Sequence, residues 1–393
     1  MHTALPPTTG LPVNGTERTF GIVSTFPPTT CGVATFSAAL AAGLIADGAS
    51  VDVVRCGPTP RTEDALVLAS LTDGPPAGAD PAEVLNRTDL VIVQHEYGLY
   101  DGPDGDSIIA LMEAVTVPII VVAHTVVTAP TTGQRHVLER VCALARAVVV
   151  MTETARDRLF AGFDVDQHKV LVIPHGAATP ESGGAPLARP AGRPLRLLTW
   201  GLLGPGKGIE WAIDALDHLN DVVPHPNYVI AGATHPKVRE RHGEAYRDML
   251  MKRAHGSSAR SHISFDDSYR DMASLNSLIR SADVVVLPYD SLDQVTSGVL
   301  VDAVAAGVPV VSTAFPHAIE LLSTGAGVVV PQRDAVALGA AIRLVVTHHE
   351  RRAAMATEAS RLAPDLAWSA VARRYGQLAD RLLAAPLQRS ASS

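Results

Sequence analysis

The chain has 393 residues, 47% of them hydrophobic and 18% charged, which is enough apolar material for a sizeable core and unlike a disordered chain. Lysine and arginine number 32 against 40 aspartates and glutamates, and the formal charge of -8 has the wrong sign for a generic nucleic-acid binder. At about 150 residues per domain the length fits two domains and a connector; three cysteines without CxxC spacing argue against a disulfide framework or structural zinc and for a reducing cytoplasm.

Residues 1–19 are polar and proline-containing, without a basic start or an apolar signal core, and read as a flexible tail. Runs rich in Val, Ile and Leu over 19–25, 51–55, 90–94, 118–123, 147–151 and 170–173 predict buried strands, with Ala-rich helical segments such as 34–46 between them. A stretch crowded with Gly, Pro, Ser and Ala, 177–194, predicts a linker. The alternation then restarts, with strands expected over 195–200, 228–231, 263–265, 284–287, 308–313 and 327–330. Two successive alternations predict an α/β protein of two doubly wound Rossmann-like domains facing each other across a cleft. The last segment, 366–383, turns Leu366, Trp368, Val371, Tyr375, Leu378 and Leu382 toward one face of a helix. The longest apolar run, 115–129, is broken by Pro118 and His124 and is too short to cross a bilayer. A soluble protein is expected, with peripheral membrane contact left open.

In such sheets ligands sit beyond the carboxyl ends of the strands, so the loops that follow strands carry the chemistry. Gly201-Leu202-Leu203-Gly204-Pro205-Gly206-Lys207-Gly208 follows the strand 195–200 and opens the helical segment 209–219. Glycines let backbone amides approach an anion, a helix N-terminus adds partial positive charge, and Lys207 adds a full one. The run is close to the triphosphate loop G-x-x-x-x-G-K-[ST], but Gly208 stands where the magnesium-holding hydroxyl belongs. Phosphate binding is therefore predicted and triphosphate hydrolysis is not; a glycine-rich turn with a solvated lysine is the plain alternative. A second loop, 287–298, leads into a helix near Thr296, and the amides of Thr296, Ser297 and Gly298 form another candidate anion site. Asp302, one turn on, is placed to accept two sugar hydroxyls, with Gln294 just before the helix.

These segments together resemble the retaining nucleotide-sugar glycosyltransferases of family four, whose architecture is called GT-B. The run from Ser24 to Phe36 (STFPPTTCGVATF) resembles the family's opening strand and donor-facing loop, and Pro174-His175-Gly176 its end-of-domain turn. Residues 201–208 resemble its phosphate-binding loop, and 294–311 its paired-glutamate segment. The likeness spans roughly residues 20 to 385. It implies an acceptor-side domain of 20–176 plus 366–393, the linker 177–194, and a nucleotide-sugar-binding domain of 195–365. Position by position, it sets Gly32 at the donor phosphates and His124 beside the reacting sugar carbon. Lys207 falls at the diphosphate, Gln294 at the donor-sugar hydroxyls and Asp302 at the nucleotide ribose. Three positions depart from the family pattern: Leu202 replaces an arginine, and Gln294 and Asp302 each replace a glutamate, with Asp293 close enough in sequence to share the task of Gln294.

The resemblance implies transfer of a hexose, mannose or glucose, from a nucleoside-diphosphate sugar to an unidentified acceptor hydroxyl with retained configuration. The sugar nucleotide is a co-substrate and no cofactor is expected. Lys207 and the amides of 296–298 stand where charge grows on the departing diphosphate, and closure about the linker excludes water. No Asp-x-Asp is read as a chelator of a metal–diphosphate, so metal-independent activity is expected. On the acceptor side, Glu96, Tyr97 and Tyr100 follow a strand of the first domain, placed to bind or stack on a saccharide, a lipid-linked or a small acceptor; loop packing without a ligand is equally open. Arg135, His136, Arg140 and Arg146 form a candidate lipid-phosphate contact or simply a solvated helix face. A nucleotide-sugar epimerase and a non-catalytic binder of the same architecture remain alternatives, separable by donor turnover. Neither the donor base nor the oligomeric state is legible.

Overall fold

The structure is a computed structural model that describes residues 18–57, 64–72, 79–178, 192–268, 270, 272–291 and 294–384. Almost all of the predicted tail, most of the predicted linker and Asp293 lie outside the described residues.

The first seven strands are β1 (Thr19–Ser24), β2 (Ser50–Arg55), β3 (Val67–Ser70), β4 (Leu90–His95), β5 (Ile119–Ala123), β6 (Ala147–Val150) and β7 (Val170–Val172). They form one sheet in the order β3-β2-β1-β4-β5-β6-β7, with every pairing parallel. The second sheet holds β8 (Arg196–Trp200), β9 (Asn227–Ala231), β10 (Ile263–Asp266), β11 (Val284–Leu287), β12 (Val310–Thr313) and β13 (Gly327–Val330), again parallel, in the order β10-β9-β8-β11-β12-β13. Parallel strands need crossover connections, and the helices that supply them cover both sheet faces. That is why the central strands are apolar without alternation. Val91 and Val93 of β4 enter one core layer, while Leu90 and Ile92 enter the layer on the opposite face. β3, a seventh strand that the sequence pattern did not predict, sits at the sheet edge with only Ala69 buried. An edge strand with one covered residue leaves little hydrophobic signal.

The chain crosses between the halves twice at one place. Ala177 and Ala367 form an isolated parallel bridge, in which the Ala177 N–H donates to Leu366 O (2.7 Å) and the Trp368 N–H to Ala177 O (3.1 Å). The apolar stripe expected over 366–383 is therefore broken. Leu366 ends the helix His349–Leu366 and belongs to the core of the second half. Val371, Tyr375 and Leu378 of the helix Trp368–Ala384 belong to the core of the first. The break lies at Ala367, whose backbone is extended (φ -62°, ψ 138°). The closing helix packs on the helix Gly32–Ala46 closely enough that a side chain on Gly43 would meet Ala372 Cβ at 2.9 Å. Tyr375 is fully buried there, and truncating it to alanine costs about 3–5 kcal/mol by analogy with other buried aromatics.

Each sheet reverses its strand order once, between β1 and β4 and between β8 and β11. Connections leave such a pair toward opposite faces, which opens a crevice beyond the strand ends. The loops after β1, β4, β8 and β11 carry most of the candidate residues, and His124 follows β5.

Candidate active site

In the second half the loop after β8 depends on glycine. Gly201, Gly206 and Gly208 have φ of 115°, 90° and 60°, the left-handed region that side chains disfavour. A Cβ on Gly208 would also stand 2.0 Å from Pro288 O. The hydroxyl residue of a triphosphate loop has no room at this position, which gives the sequence departure a physical cause. Lys207 has no carboxylate partner among the described residues; its Nζ lies 4.2 Å from the ring centroid of Tyr289. Tyr289 is in turn stacked on Phe315 (centroids 5.0 Å apart). A cation on an aromatic face gains about 0.5–2 kcal/mol and keeps its full charge for an incoming anion.

The loop after β11 ends in the helix Gly298–Ala305, which is capped by Ser297 Oγ accepting from the Leu300 N–H (3.3 Å). A side chain on Gly201 would touch Val299 at 3.6 Å, so the β8 loop adjoins the first turn of this helix. The three amides expected to bind an anion are not equivalent. The Ser297 N–H already donates to His317 Nδ1 (2.9 Å), and this corrects its place in the expected trio. The amides of Gly298 and Val299, the first two of the helix, have no partner among the described residues. Thr296 Oγ1 is buried without a partner among the described residues. Gln294 is half-buried and turned back, its Nε2 donating to Thr296 O. The Asp302 carboxyl on the next turn has no hydrogen-bond or ionic partner among the described residues, and burial pushes it up to about 7.

In the first half Gly32 opens the helix Gly32–Ala46, capped by Cys31, whose Sγ accepts from the Ala34 N–H; a Cβ on Gly32 would meet nothing within 4 Å. One turn on, Phe36 presents its ring edge-on to His124 (4.9 Å), His175 (5.0 Å) and Trp368 (5.0 Å). Fully buried Gln94, near the end of β4, places Oε1 2.7 Å from His124 Nε2. With the amide so assigned, Nε2 donates and Nδ1 carries the lone pair. Burial lowers His124 to about 3 and His175 to about 4, so both rings are neutral. His175 Nδ1 donates to Gly176 O (2.6 Å), and its Nε2 lies 2.9 Å from where a Gly298 Cβ would be. Through this contact the first turn of the Gly298 helix meets the histidine wall of the other half.

Half-buried Glu96 accepts from Thr125 Oγ1 (2.5 Å) and from the Tyr97 N–H (3.1 Å), while burial raises its carboxyl above the usual range. Tyr97 packs on the core of the first half, edge-on to His95 (5.1 Å), with its hydroxyl buried and unpartnered. Tyr100 is not a stacking platform: it is 7% exposed, and its hydroxyl donates to Gln94 O (2.6 Å). Of the basic helix residues, Arg135 donates to Gly162 O and lies over Phe163 (5.3 Å), and Arg140 pairs with Glu113 (2.5 Å). Two of the four basic side chains proposed for lipid phosphate are thus engaged within the protein.

The sequence does contain two Asp-x-Asp triplets, Asp104-Gly105-Asp106 and Asp164-Val165-Asp166. Both lie in the first half, away from the β8 and β11 loops, and Asp166 caps the 3-10 turn Gln167–Lys169. Among the described residues no three His, Cys, Asp or Glu side chains converge as a metal-ligating group, and no helix is long and apolar enough to cross a membrane.

Two parallel α/β sheets flanked by helices, with the lysine, the helix amides and the neutral histidines at their strand ends, give the chain a GT-B architecture. Solved structures share it. A glycosyltransferase from Rickettsia africae is 14% identical with a TM-score of 0.72, matching 94% of this chain and 100% of its own. Sucrose-phosphate synthase from Thermosynechococcus elongatus is 19% identical (TM-score 0.71, 94% and 100%). Anabaena Alr3699/HepE, solved with UDP, is 15% identical (TM-score 0.70, 93% and 100%). No curated protein matches the sequence. Residues 30–179 match the family described as Glycosyltransferase Family 4, and residues 189–362 match Glycosyl transferases group 1. With both halves matched, the chain belongs to the group 1 glycosyltransferases.

Proposed function

We propose that the protein transfers a hexose from a nucleoside-diphosphate sugar to an acceptor hydroxyl with retention of anomeric configuration, in the cytoplasm and without a metal ion. The observation that carries the reading is the Lys207 ammonium on the face of Tyr289, without a carboxylate partner among the described residues, in a loop that adjoins the Gly298 and Val299 amides, which likewise have no partner among them. As the bond between the anomeric carbon and the diphosphate oxygen breaks, negative charge accumulates on the diphosphate, where an ammonium and fixed N–H groups stabilise it without reorganising. The acceptor oxygen forms its bond to the same carbon on the same face, and its proton passes to a departing phosphate oxygen. His124, held neutral and oriented by Gln94, lines the sugar without adding a charge that would compete with Lys207. The Asp302 carboxyl, without a partner among the described residues, grips the ribose diol, and half-buried Glu96 and Thr125 face the acceptor side.

Anabaena HepE has also been solved with UDP-glucose, so UDP-glucose and GDP-mannose are the first donors to test. The test is to incubate each sugar nucleotide with the protein and a panel of saccharide and lipid-linked acceptors, and to read product configuration by NMR. Acceptor-dependent consumption of donor and a retained anomer are expected. Donor isomerised without an acceptor would make the protein an epimerase. Tight donor binding with no turnover across the panel would make it a binder, a reading favoured by the uncharged Leu202 and Gln294.

A further inference from the structure

The short helix Pro316–Leu322 of the second half touches both the donor turn and the first half. His317 is 5% exposed, and its Nδ1 accepts the Ser297 N–H. One turn further, half-buried Glu320 reaches across to the helix Glu153–Gly162 of the first half. Its Oε1 accepts from the Glu153 N–H (2.8 Å), and its Oε2 accepts from the Thr154 N–H (2.9 Å) and Thr154 Oγ1 (2.8 Å). A carboxylate on the free amides of a helix start makes charge-assisted hydrogen bonds and meets the positive end of the helix dipole. Beside it, Thr152 Oγ1 donates to Val295 O (3.1 Å), two residues before Ser297, and Val295 is itself buried in the first half's core.

We propose that His317 and Glu320 are positioning residues, His317 fixing the donor turn and Glu320 seating it against the first half, so that one helix sets the anion site relative to the histidine wall. The His317 end satisfies a buried amide, and the Glu320 end satisfies the first two N–H groups of a helix that starts at the surface. Occupancy of the donor turn and ordering of the Glu153 helix start are then coupled, and the coupling is reciprocal. The inference rests on the proposed donor site only for the ligand used to probe it.

Amide hydrogen exchange read at Glu153 and Thr154, alone and with UDP or GDP, tests this. In Glu320→Ala, exchange at both amides should rise at least tenfold. Nucleoside diphosphate should slow that exchange in the parent protein but not in His317→Leu. His317→Asn, whose side-chain oxygen can accept from the Ser297 amide, should restore the response. If transfer is detected, Glu320→Ala should raise donor KM severalfold more than it lowers kcat. Should Glu320→Ala fail to fold, the milder Glu320→Gln, with one acceptor oxygen remaining, should give an intermediate rise. Exchange unchanged in both Glu320 variants, or a nucleotide response that survives in His317→Leu, would overturn the proposal. Absence of transfer in every assay would leave the exchange result standing and remove only the catalytic reading.

Discussion

At the β1/β4 and β8/β11 crevices the two halves use the same topology for different chemistry. The first half closes its strand ends with rings and internal hydrogen bonds: His124 on Gln94, His175 on Gly176 O, and Phe36 between the two imidazoles. The second half leaves polar groups without partners among the described residues: the Lys207 ammonium, the Asp302 carboxyl, the amides of Gly298 and Val299, and Thr296 Oγ1. The first half has polar atoms without such partners too (Gln94 Nε2, both His95 nitrogens, the Tyr97 hydroxyl), but its histidine wall is neutral, whereas the second half holds an ammonium and a carboxyl. That difference in charge is what supports the second half as the proposed side for the anionic donor. Charge left unpaired beside a buried turn lowers stability and is retained where a ligand completes it.

The largest expected effect comes from removing charge on the second half's side. Lys207→Ala should lower kcat/KM for transfer by about 10²–10³, the range found when one donor to a developing oxyanion is lost. Near-parent turnover would assign that side no catalytic role. Next comes Asp302. Its carboxyl is raised to about 7, so it is largely protonated at pH 6 and ionised at pH 8. If the ionised form grips the ribose, donor affinity rises as pH passes upward through 7. Asp302→Asn should weaken donor binding about tenfold at pH 8 and flatten that dependence; an unchanged pH profile by calorimetry would sever Asp302 from the donor.

How far the contrast could be read in advance differs between the halves. Lys207 and Gly208 stand out because they close a glycine-rich run that follows a strand and opens a helix, and Gly298 because it begins a helix after the loop that follows β11. The engagement of the Ser297 N–H is not legible in the sequence because its acceptor, His317, lies twenty residues later on another helix. Tyr100 looked like a platform in a loop, yet it turns inward to a β4 carbonyl, and nothing in its spacing signals that direction. Gln94 reads as one more strand residue until its register places it beside His124. Strands with apolar runs were legible. The edge strand β3 and the break at Ala367 were not, since each is fixed by pairing with distant chain rather than by local pattern.

The wall of the first half makes its own prediction about acid. Burial lowers His95 to about 4, His124 to about 3 and His175 to about 4, and His317 behind the donor turn to about 3. The unfolded imidazoles take up protons near pH 6.5, where the folded ones do not. The stability these neutral rings contribute is therefore complete above about pH 6.5 and is lost as pH falls toward 3–4. The melting temperature should drop by several degrees between pH 7 and pH 5, and His95→Phe should blunt the drop; a flat profile over that interval would contradict neutral burial. The smallest effect belongs outside both crevices. Arg140→Ala removes an exposed pair with Glu113 and should change stability by less than about 1 kcal/mol and leave transfer unaltered.

The most direct measurement is calorimetric titration of UDP and GDP into the parent protein and Lys207→Ala. The account predicts that whichever nucleotide the parent binds is held at least tenfold more weakly by the variant, the loss of one charge-assisted contact to phosphate. Equal affinity in the two proteins would place the diphosphate elsewhere and contradict the proposed site.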